Sequence, residues 1–306
     1  MSGVLVVGES LVDVVTRADG TTSEHPGGSP ANVALGLARL GRETYLLTHL
    51  GDDERGRLVA DHLEASGVVL VDGSVVPGRT SVARAVLDAD GSATYEFDLE
   101  WALPARPLPP NPLAVHTGSI AAVLQPGAAT VERIVLGARH HATVTYDPNL
   151  RPDLMGDAAE VRSHVEGFVA ASDVVKLSEE DAAWLAPATA VEHLLEQWLH
   201  LGPSVVVLTR GGDGALALCR EGDVRVDAPA VTVADTVGAG DAFMSGLIDG
   251  LWSADLLGGG RRDALLRIEP ATLTDVLSHA VRVAAVTVSR PGADPPTRAD
   301  LPPVAQ

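Results

Sequence analysis

Short runs of apolar, mostly β-branched residues alternate along the chain with segments that repeat apolar residues at the helical period. The apolar runs alternate little with polar residues, which is typical of parallel strands covered on both faces. The runs predict strands at residues 3–8, 44–50, 142–147, 173–177 and 204–209, and the periodic segments predict helices near 30–40, 53–66, 127–140, 158–171 and 191–201. This order predicts an α/β fold with a doubly wound, mostly parallel sheet in a single domain over residues 1–306.

Two extended segments interrupt this rhythm early in the chain. Residues 11–28 carry an Asp-Gly turn at 19–20, and residues 80–100 contain two extended runs around a second Asp-Gly pair, a strong hairpin signal. We expect both segments to form a small sheet that projects from one edge as a lid, and an ordinary edge hairpin is the alternative. Trp101 follows this hairpin and either covers a ligand or anchors the hairpin.

Composition narrows the class of protein. Apolar residues make up 46% of the 306 residues, so we expect order everywhere except in the Pro-rich tail after residue 295. No apolar run reaches the roughly 18 residues of a membrane span, and the first apolar stretch lacks the basic region that precedes a signal peptide. The single cysteine, Cys219, cannot form an internal disulfide. These features favour the cytoplasm.

The formal net charge of −19 also limits the ligands. No basic patch is visible and Lys176 is the only lysine, so the sequence does not predict nucleic-acid binding. The acidity disfavours long-range attraction of anions. Phosphates of a bound nucleotide must therefore be held locally by backbone N–H groups, a few arginines and a metal. Acidity that reflects only solubility or habitat is the alternative interpretation.

A first glycine motif, GGSPANVALGLARLG, occupies residues 27–41. Ser29 followed by proline predicts an N-cap and a helix start, and Gly41 fits the position just after the helix. Gly28 lies where the backbone must turn sharply or approach a ligand. Asn32 lies in the first turn and can face that ligand. A well-capped core helix without a ligand is the alternative.

A second glycine motif, DTVGAGDAFMSGLIDG, occupies residues 235–250. It predicts a loop that leads into a helix with one buried face. The N–H groups of Gly238, Ala239 and Gly240 would point to one spot at the positive end of the helix dipole and form an anion hole. Asp241 lies at the same end. Phosphoryl transfer needs such charge stabilisation and a carboxylate that accepts the alcohol proton, although Asp is also favoured at helix starts.

Two other phosphate-binding motifs are absent from the sequence. The first strand is not followed by the G-x-G-x-x-G of dinucleotide-binding proteins. In the second glycine motif, Gly238 and Gly240 match the first two glycines of this pattern, but Phe243 occupies the position of the third. A Walker A loop requires a Gly-Lys pair, which the chain lacks.

Together the two glycine motifs resemble the N-terminal and C-terminal signatures of the ribokinase-like (pfkB) family of carbohydrate kinases. Further stretches are similar to bacterial fructokinases: GESLVD at 8–13, GDD at 51–53, DPNLRP at 147–152, KLSEE at 176–180 and SRPGADPP at 289–296. The resemblance runs essentially end to end. It implies an ATP- and Mg²⁺-dependent kinase that phosphorylates a primary hydroxyl of a free sugar, with fructose as the first candidate, and a homodimer through the lid. The alternatives are a kinase for 2-keto-3-deoxygluconate, ribose or a nucleoside, and a non-catalytic sugar or nucleotide sensor.

The resemblance also implies roles for individual residues. The sugar-binding positions are Asp13, Gly28, Asn32 and Arg151. The phosphoryl-transfer positions are Asp241 as the base and Gly238, Ala239 and Gly240 as the anion hole. Without the resemblance, the alternative interpretations are that Asp13 is a turn residue at the end of a strand and that Arg151 is a surface residue.

On the nucleotide side, the resemblance implies a loop that contains Thr209, Gly211, Gly212 and Gly214, which alone would read as a turn. The family's Asn-x-x-Glu motif appears here with Ser178 and Asp181. The resemblance places Ser178 at the nucleotide and Asp181 near Mg²⁺, where a shorter carboxylate could act through water. It also implies a site for a monovalent cation such as K⁺ near Asp235 and residues 287–292. Carbonyl ligands leave no signature in the sequence.

Overall fold

The computed structural model describes residues 3–17, 19–87, 93–103, 108 and 111–301. Its strands are β1 (Val4–Val7), β2 (Leu11–Thr16), β3 (Thr22–Gly27), β4 (Thr44–Leu47), β5 (Leu50–Gly51), β6 (Val68–Leu70), β7 (Val75–Val76), β8 (Val82–Leu87), β9 (Ala93–Asp98), β10 (Ala114–Gly118), β11 (Thr143–Asp147), β12 (Val174–Ser178), β13 (Val205–Thr209), β14 (Ala215–Cys219) and β15 (Gly222–Val226). Its helices are α1 (Ser29–Arg39), α2 (Glu54–Glu64), α3 (Gly127–Ala138), α4 (Pro152–Met155), α5 (Ala158–Ala170), α6 (Glu179–Leu185), α7 (Val191–Leu201), α8 (Ala239–Ser253), α9 (Arg262–Leu266) and α10 (Pro270–Val288).

The main sheet has the order β15-β14-β13-β12-β11-β10-β1-β4-β6 within the described residues. The strands from β13 to β6 run parallel, and β14 and β15 add an antiparallel hairpin at one edge. The prediction of a doubly wound, mostly parallel sheet is confirmed. In this sheet the prediction missed β6, β10, β14 and β15, and its strand at 44–50 is too long. It also missed the helices α4, α6, α9 and α10.

The correction at 44–50 has a local cause. Strand β4 ends at Leu47, and Thr48 then donates a hydrogen bond from its hydroxyl to Ser10 Oγ. The Leu50 amide bonds to the carbonyl of Ser74, so the chain leaves the main sheet and forms the short parallel pair of β5 with β7. A continuous strand would have left these buried polar groups without partners.

Helices cover both faces of the main sheet. One apolar core lies under α1, α2, α8 and α10, and the other lies under α3, α5, α6 and α7. Helix α8 is buried over Asp241–Leu251 rather than along one face only, which corrects the prediction. Its glycines allow this burial, because a β-carbon at Gly246 would lie 2.8 Å from the Cα of Ala280 in α10. Helix α8 is thereby packed closely between α10 and α1.

The two early extended segments form a separate four-stranded sheet with the order β3-β2-β8-β9. Strands β2 and β8 run parallel in its centre, and β8 and β9 form the predicted hairpin, whose turn at 88–91 lies outside the described residues. Only Gly8, Glu9 and Ser10 separate β2 from β1. The small sheet therefore starts at the carboxyl end of β1, and its role as a lid stays a prediction.

Residues 296–301 of the Pro-rich segment are ordered, contrary to expectation. Arg298 donates hydrogen bonds to the carbonyl of Leu40 at the end of α1 and to the carboxylate of Asp249 in α8. Asp249 also accepts hydrogen bonds from Arg42 and His279. Charged side chains thus attach the segment to the core, which its Pro-rich composition does not indicate.

Helix α10 is, among the described residues, the one helix whose length and composition would suffice to cross a membrane. Eight of its 19 residues are buried inside the protein, where the helix packs against α8. These contacts fit the core helix of a globular domain.

Candidate active site

The predicted site residues gather where the parallel strands end. Ser178 and Thr209 occupy neighbouring positions at the carboxyl ends of β12 and β13, and Asp147 ends β11. The N-terminus of α8 reaches the same edge, because a β-carbon at Gly240 would lie 3.1 Å from the ammonium nitrogen of Lys176 in β12. Doubly wound sheets bind ligands in the crevice at this edge.

Asp241, the predicted base, is held by the first glycine motif. Ser29 donates a 2.7 Å hydrogen bond to its Oδ1 and Asn32 Nδ2 donates a 2.8 Å hydrogen bond to its Oδ2. The carboxylate is buried, yet each oxygen keeps a further lone pair for a substrate hydroxyl. The two motifs, more than 200 residues apart in sequence, therefore form one site.

The prediction that Ser29 caps α1 is wrong. Ser29 is the first helical residue, Gly28 occupies the cap position with φ 105°, and no side chain caps the helix. Gly28 cannot be replaced easily, because its φ is unfavourable for other residues and a β-carbon would lie 2.6 Å from the carbonyl oxygen of Glu9. The serine hydroxyl is thereby free to bond Asp241.

The anion hole differs in detail from the prediction. Gly238 has a left-handed conformation with φ 74°, and the Ala239 amide donates to the carbonyl of Thr236 at 3.2 Å. The amides of Gly238, Gly240 and Asp241 have no acceptor in the described part of the chain. The N–H groups open to an anion are therefore those of Gly238, Gly240 and Asp241, whereas that of Ala239 is engaged in a turn.

Asp13 lies on β2 at the wall of the same cleft. Its Oδ2 touches Gly27 so closely that a β-carbon there would overlap it. Burial raises the pKa of Asp13 to about 6, His25 and Arg151 oppose this shift, and the negative charge of Asp241 adds to it. The carboxylates of Asp13 and Asp241 are thus close enough to repel each other.

Arg151 lies on the exposed rim of the cleft. Its guanidinium donates hydrogen bonds to Asn149 Oδ1 and to the carbonyls of Asn149 and Leu150. Its charge lowers the pKa values of Asp13 and Glu9. The arginine therefore places positive charge near Asp13 and Glu9, and its contact with a sugar stays a prediction.

Glu9 forms the floor beneath Gly28 and was not predicted as a site residue. Its Oε2 accepts a 3.1 Å hydrogen bond from the Ala121 amide. Burial raises the pKa of Glu9 to about 7, although hydrogen bonds from backbone amides and from Ser119 lower it in part. The signal in the sequence is a glutamate directly after an apolar strand and its glycine.

A model of pfkB family carbohydrate kinases matches residues 1–300. The chain belongs to this family. It is 32% identical over 266 residues to a fructokinase of Rhizobium leguminosarum bv. trifolii, an alignment that covers 83% of this chain and 81% of the relative. The kinase also resembles two solved structures. Fructokinase from Xylella fastidiosa with bound ATP matches with a TM-score of 0.84 at 25% identity, over 96% of this chain and 94% of the other. Fructokinase from Vibrio cholerae O395 with fructose, ADP and calcium matches with a TM-score of 0.78 at 26% identity, over 96% and 94%.

The predicted nucleotide loop of the kinase follows β13. Gly211 and Gly214 have φ values of 51° and 86°, which only glycine adopts readily, and Thr209 donates a 3.4 Å hydrogen bond to the carbonyl of Leu177. Gly211 and Gly212 are exposed, and β-carbons added to them would meet no atom within 4 Å. The loop thus offers open backbone at the sheet edge, and its contact with a nucleotide stays a prediction.

Ser178 and Asp181 form a capping box at the start of α6. The hydroxyl of Ser178 accepts from the Asp181 amide, and Asp181 Oδ2 accepts from the amide and hydroxyl of Ser178. Asp181 Oδ1 accepts from the Leu150 amide at 2.7 Å. Both carboxylate oxygens thus serve the fold, and no group of three His, Cys, Asp or Glu residues with metal-binding geometry occurs in the described ranges. The contact of Ser178 with a nucleotide and that of Asp181 with Mg²⁺ through water stay predictions.

Asp235 links the two segments predicted to hold a monovalent cation. Its Oδ2 accepts a 2.8 Å hydrogen bond from the Gly292 amide, and its Oδ1 accepts from the Val237 amide. The amides of Ala234 and Asp235 both bond to the carbonyl of Val288. The carboxylate therefore holds the loop before α8 against the segment after α10, and the cation itself stays a prediction.

Trp101 is buried rather than open to a ligand. Its indole nitrogen donates a 3.1 Å hydrogen bond to the Ala121 carbonyl, and its ring packs against Gly127. Of the two roles expected for Trp101, covering a ligand or anchoring the hairpin, these contacts support the anchor.

Proposed function

We propose that this kinase transfers the γ-phosphoryl group of ATP to a primary hydroxyl of free fructose. The observation that carries the proposal is the position of Asp241, whose carboxylate is oriented by Ser29 and Asn32 beside the open amides at the start of α8. A base and an anion site within one turn of helix are what transfer to an alcohol requires.

In the proposed reaction, Asp241 accepts the proton of the sugar hydroxyl. The hydroxyl oxygen forms a bond to the γ-phosphorus while the bond from that phosphorus to the bridging oxygen breaks, and ADP leaves with the electron pair. The N–H groups of Gly240 and Asp241 stabilise the negative charge of the transferring group. Asp13, Gly28 and Asn32 line the sugar side, and Arg151 covers it with positive charge.

Fructose is proposed on two grounds. The Rhizobium relative is a fructokinase, and the Vibrio structure contains fructose and ADP. The closest rivals are 2-keto-3-deoxygluconate, ribose and nucleosides, because one or two hydrogen bonds in the cleft decide between them. A non-catalytic sensor would not need Asp241 with its two donors, which argues against that alternative.

The remaining requirements extend the proposal. Mg²⁺ would enter bound to the phosphates of ATP and to water, with Asp181 acting at most through water, and its charge would assist phosphoryl transfer. Ser178 and the Thr209–Gly214 loop would border the nucleotide, and K⁺ would bind carbonyls near Asp235. We further propose a cytoplasmic homodimer formed through the four-stranded sheet.

A substrate panel tests the proposal directly. ADP release is measured with fructose, other free sugars, sugar acids and nucleosides, each with ATP and Mg²⁺, and the Asp241→Asn variant controls for contaminating kinases. We expect the highest kcat/KM with fructose. Preference for a sugar acid or nucleoside would overturn the substrate and leave the kinase. If no acceptor in the panel supports ADP release, the result would instead favour the sensor or an acceptor of another class.

A further inference from the structure

Lys176 occupies an unusual position for a charged residue. It lies in the middle of β12, whose sequence is VVKLS, and it is 2% exposed. Neighbouring residues of a strand point to opposite faces. Val174 packs into the core beneath α8, whereas Val175 and Leu177 pack into the other core. Lys176 therefore points toward α8.

The ammonium group of Lys176 lies next to the backbone of the predicted anion hole, on the side of the sheet. A β-carbon at Gly240 would lie 3.1 Å from Nζ, so the ammonium lies directly against the backbone whose amide is open to the cleft. Asp147, at the end of the neighbouring strand β11, fixes Nζ through an ion pair of 2.7 Å. Asp147 Oδ1 has no hydrogen-bond partner within the described chain, so the ion pair is the contact that holds this carboxylate.

The surrounding charges explain why Lys176 stays protonated. Burial lowers its pKa, but the carboxylates of Asp147, Asp181 and Asp241 outweigh burial and raise it. The positive charge in turn helps to lower the pKa of buried His116 to about 3, after burial itself, so His116 is neutral. Lys176 is therefore a permanent positive charge close to the base.

Fold stability does not account for this charge. A buried ion pair seldom stabilises a protein more than well-packed apolar residues of the same size. The ATP phosphates, by contrast, must approach Asp241 in a protein whose formal charge is −19. We propose that Lys176 is a positioning residue that, held by Asp147 against Gly240, supplies buried positive charge to the phosphoryl-transfer site. The inference rests on the proposed function.

The test replaces the ion pair with neutral side chains of similar shape. In Lys176→Met/Asp147→Asn both charges are removed, so no unpaired charge remains in the core. We expect melting temperature to be kept and kcat to fall about 10²–10³-fold, the range for loss of one electrostatic contact to a developing charge. KM for the sugar should change little, because Lys176 does not face the sugar side.

A matched control is available beside the other end of β12. Arg262 and Asp173 form another ion pair, at 2.6 Å, next to the opposite end of β12. Arg262→Met/Asp173→Asn should keep kcat near that of the wild type, whatever its effect on melting temperature. A similar loss of kcat in both double variants would assign the effect to the sheet and overturn the proposal.

A binding measurement separates a role in transfer from a role in folding. ADP with aluminium fluoride mimics the transferring group, whereas ADP alone does not. Lys176→Met/Asp147→Asn should weaken binding of ADP with aluminium fluoride and leave ADP unchanged. The variant Lys176→Gln/Asp147→Asn, which also removes both charges and keeps polar groups at both positions, provides the same comparison if the first double variant does not fold. A fall in kcat of about 10²-fold is expected. If the wild type is active and either variant retains more than about a tenth of its kcat, the inference about Lys176 is overturned and the proposed function stands. An inactive wild type would overturn the proposed function.

Discussion

The Asp241→Asn substitution tests the centre of the proposed mechanism with little disturbance of the fold. The asparagine oxygen can accept from Asn32 Nδ2, and its NH₂ can donate to Ser29 Oγ if that hydroxyl rotates, so both contacts survive as neutral hydrogen bonds. A hydrogen bond to a charged group contributes about 1.5–3 kcal/mol and a neutral one about 0.5–1.5 kcal/mol. The loss of stability should therefore be about 1–3 kcal/mol for two bonds, partly offset because a buried charge disappears.

The effect on turnover should be much larger. The amide cannot accept the proton of the alcohol, and general-base catalysis typically contributes about 10²–10⁴-fold, so kcat should fall by that factor. Coupled-enzyme assays of ADP release give kcat, and calorimetry gives sugar affinity and melting temperature. Ser29→Ala is the matched control, because it removes one donor and keeps the base. The expected fall in kcat is at least about 10²-fold. If Asp241→Asn retains more than about a tenth of the wild-type kcat, Asp241 is not the general base.

Three further substitutions address the walls of the cleft. Asp13→Ala should weaken use of the sugar by about 1.5–3 kcal/mol in kcat/KM and leave ATP binding unchanged, and equal losses for both ligands would argue against a sugar contact. Glu9→Gln tests how protonation of Glu9 contributes to stability. Because the pKa of Glu9 is raised from 4.5 to about 7, the free energy of unfolding of the wild type should fall as pH rises through this window. Denaturant titrations at several pH values should show that the variant lacks this pH-dependent fall. Gly28→Ala should abolish sugar binding or folding, whereas Gly41→Ala, also at positive φ but with no atom within 4 Å, should cost about 1 kcal/mol.

Local patterns in the sequence predicted the elements that local chemistry controls. Gly41 has φ 80° just after α1, as its position suggested, and all predicted helices begin and end within two residues of the observed ones. Strand β10 was missed because His116 and Thr117 interrupt its apolar pattern, although both are buried. Such a strand is visible only once its neighbours in the sheet are known.

The sequence predicted residues that the structure brings together, but it did not predict the contacts between them. Ser29 looked like a cap because serine is favoured there, and nothing nearby reveals an acceptor 212 residues away. Asp181 and the amide of Ala239, both predicted to contact ligands, also make local hydrogen bonds in a capping box and a turn. Whether a polar group bonds to a neighbouring residue or to a ligand depends on the local geometry, which cannot be predicted from the residue type alone.

The burial of Lys176 has a practical consequence for work on this protein. Because the chain has no other lysine, reagents that attack side-chain amines find no target on the folded surface. Cross-linking or immobilisation through lysine is therefore excluded, and carboxylates offer the alternative handle. Unfolding exposes one side-chain amine at a known position in the central sheet. A timed pulse of an acylating reagent, read by mass spectrometry at this residue, would count the molecules whose core has opened.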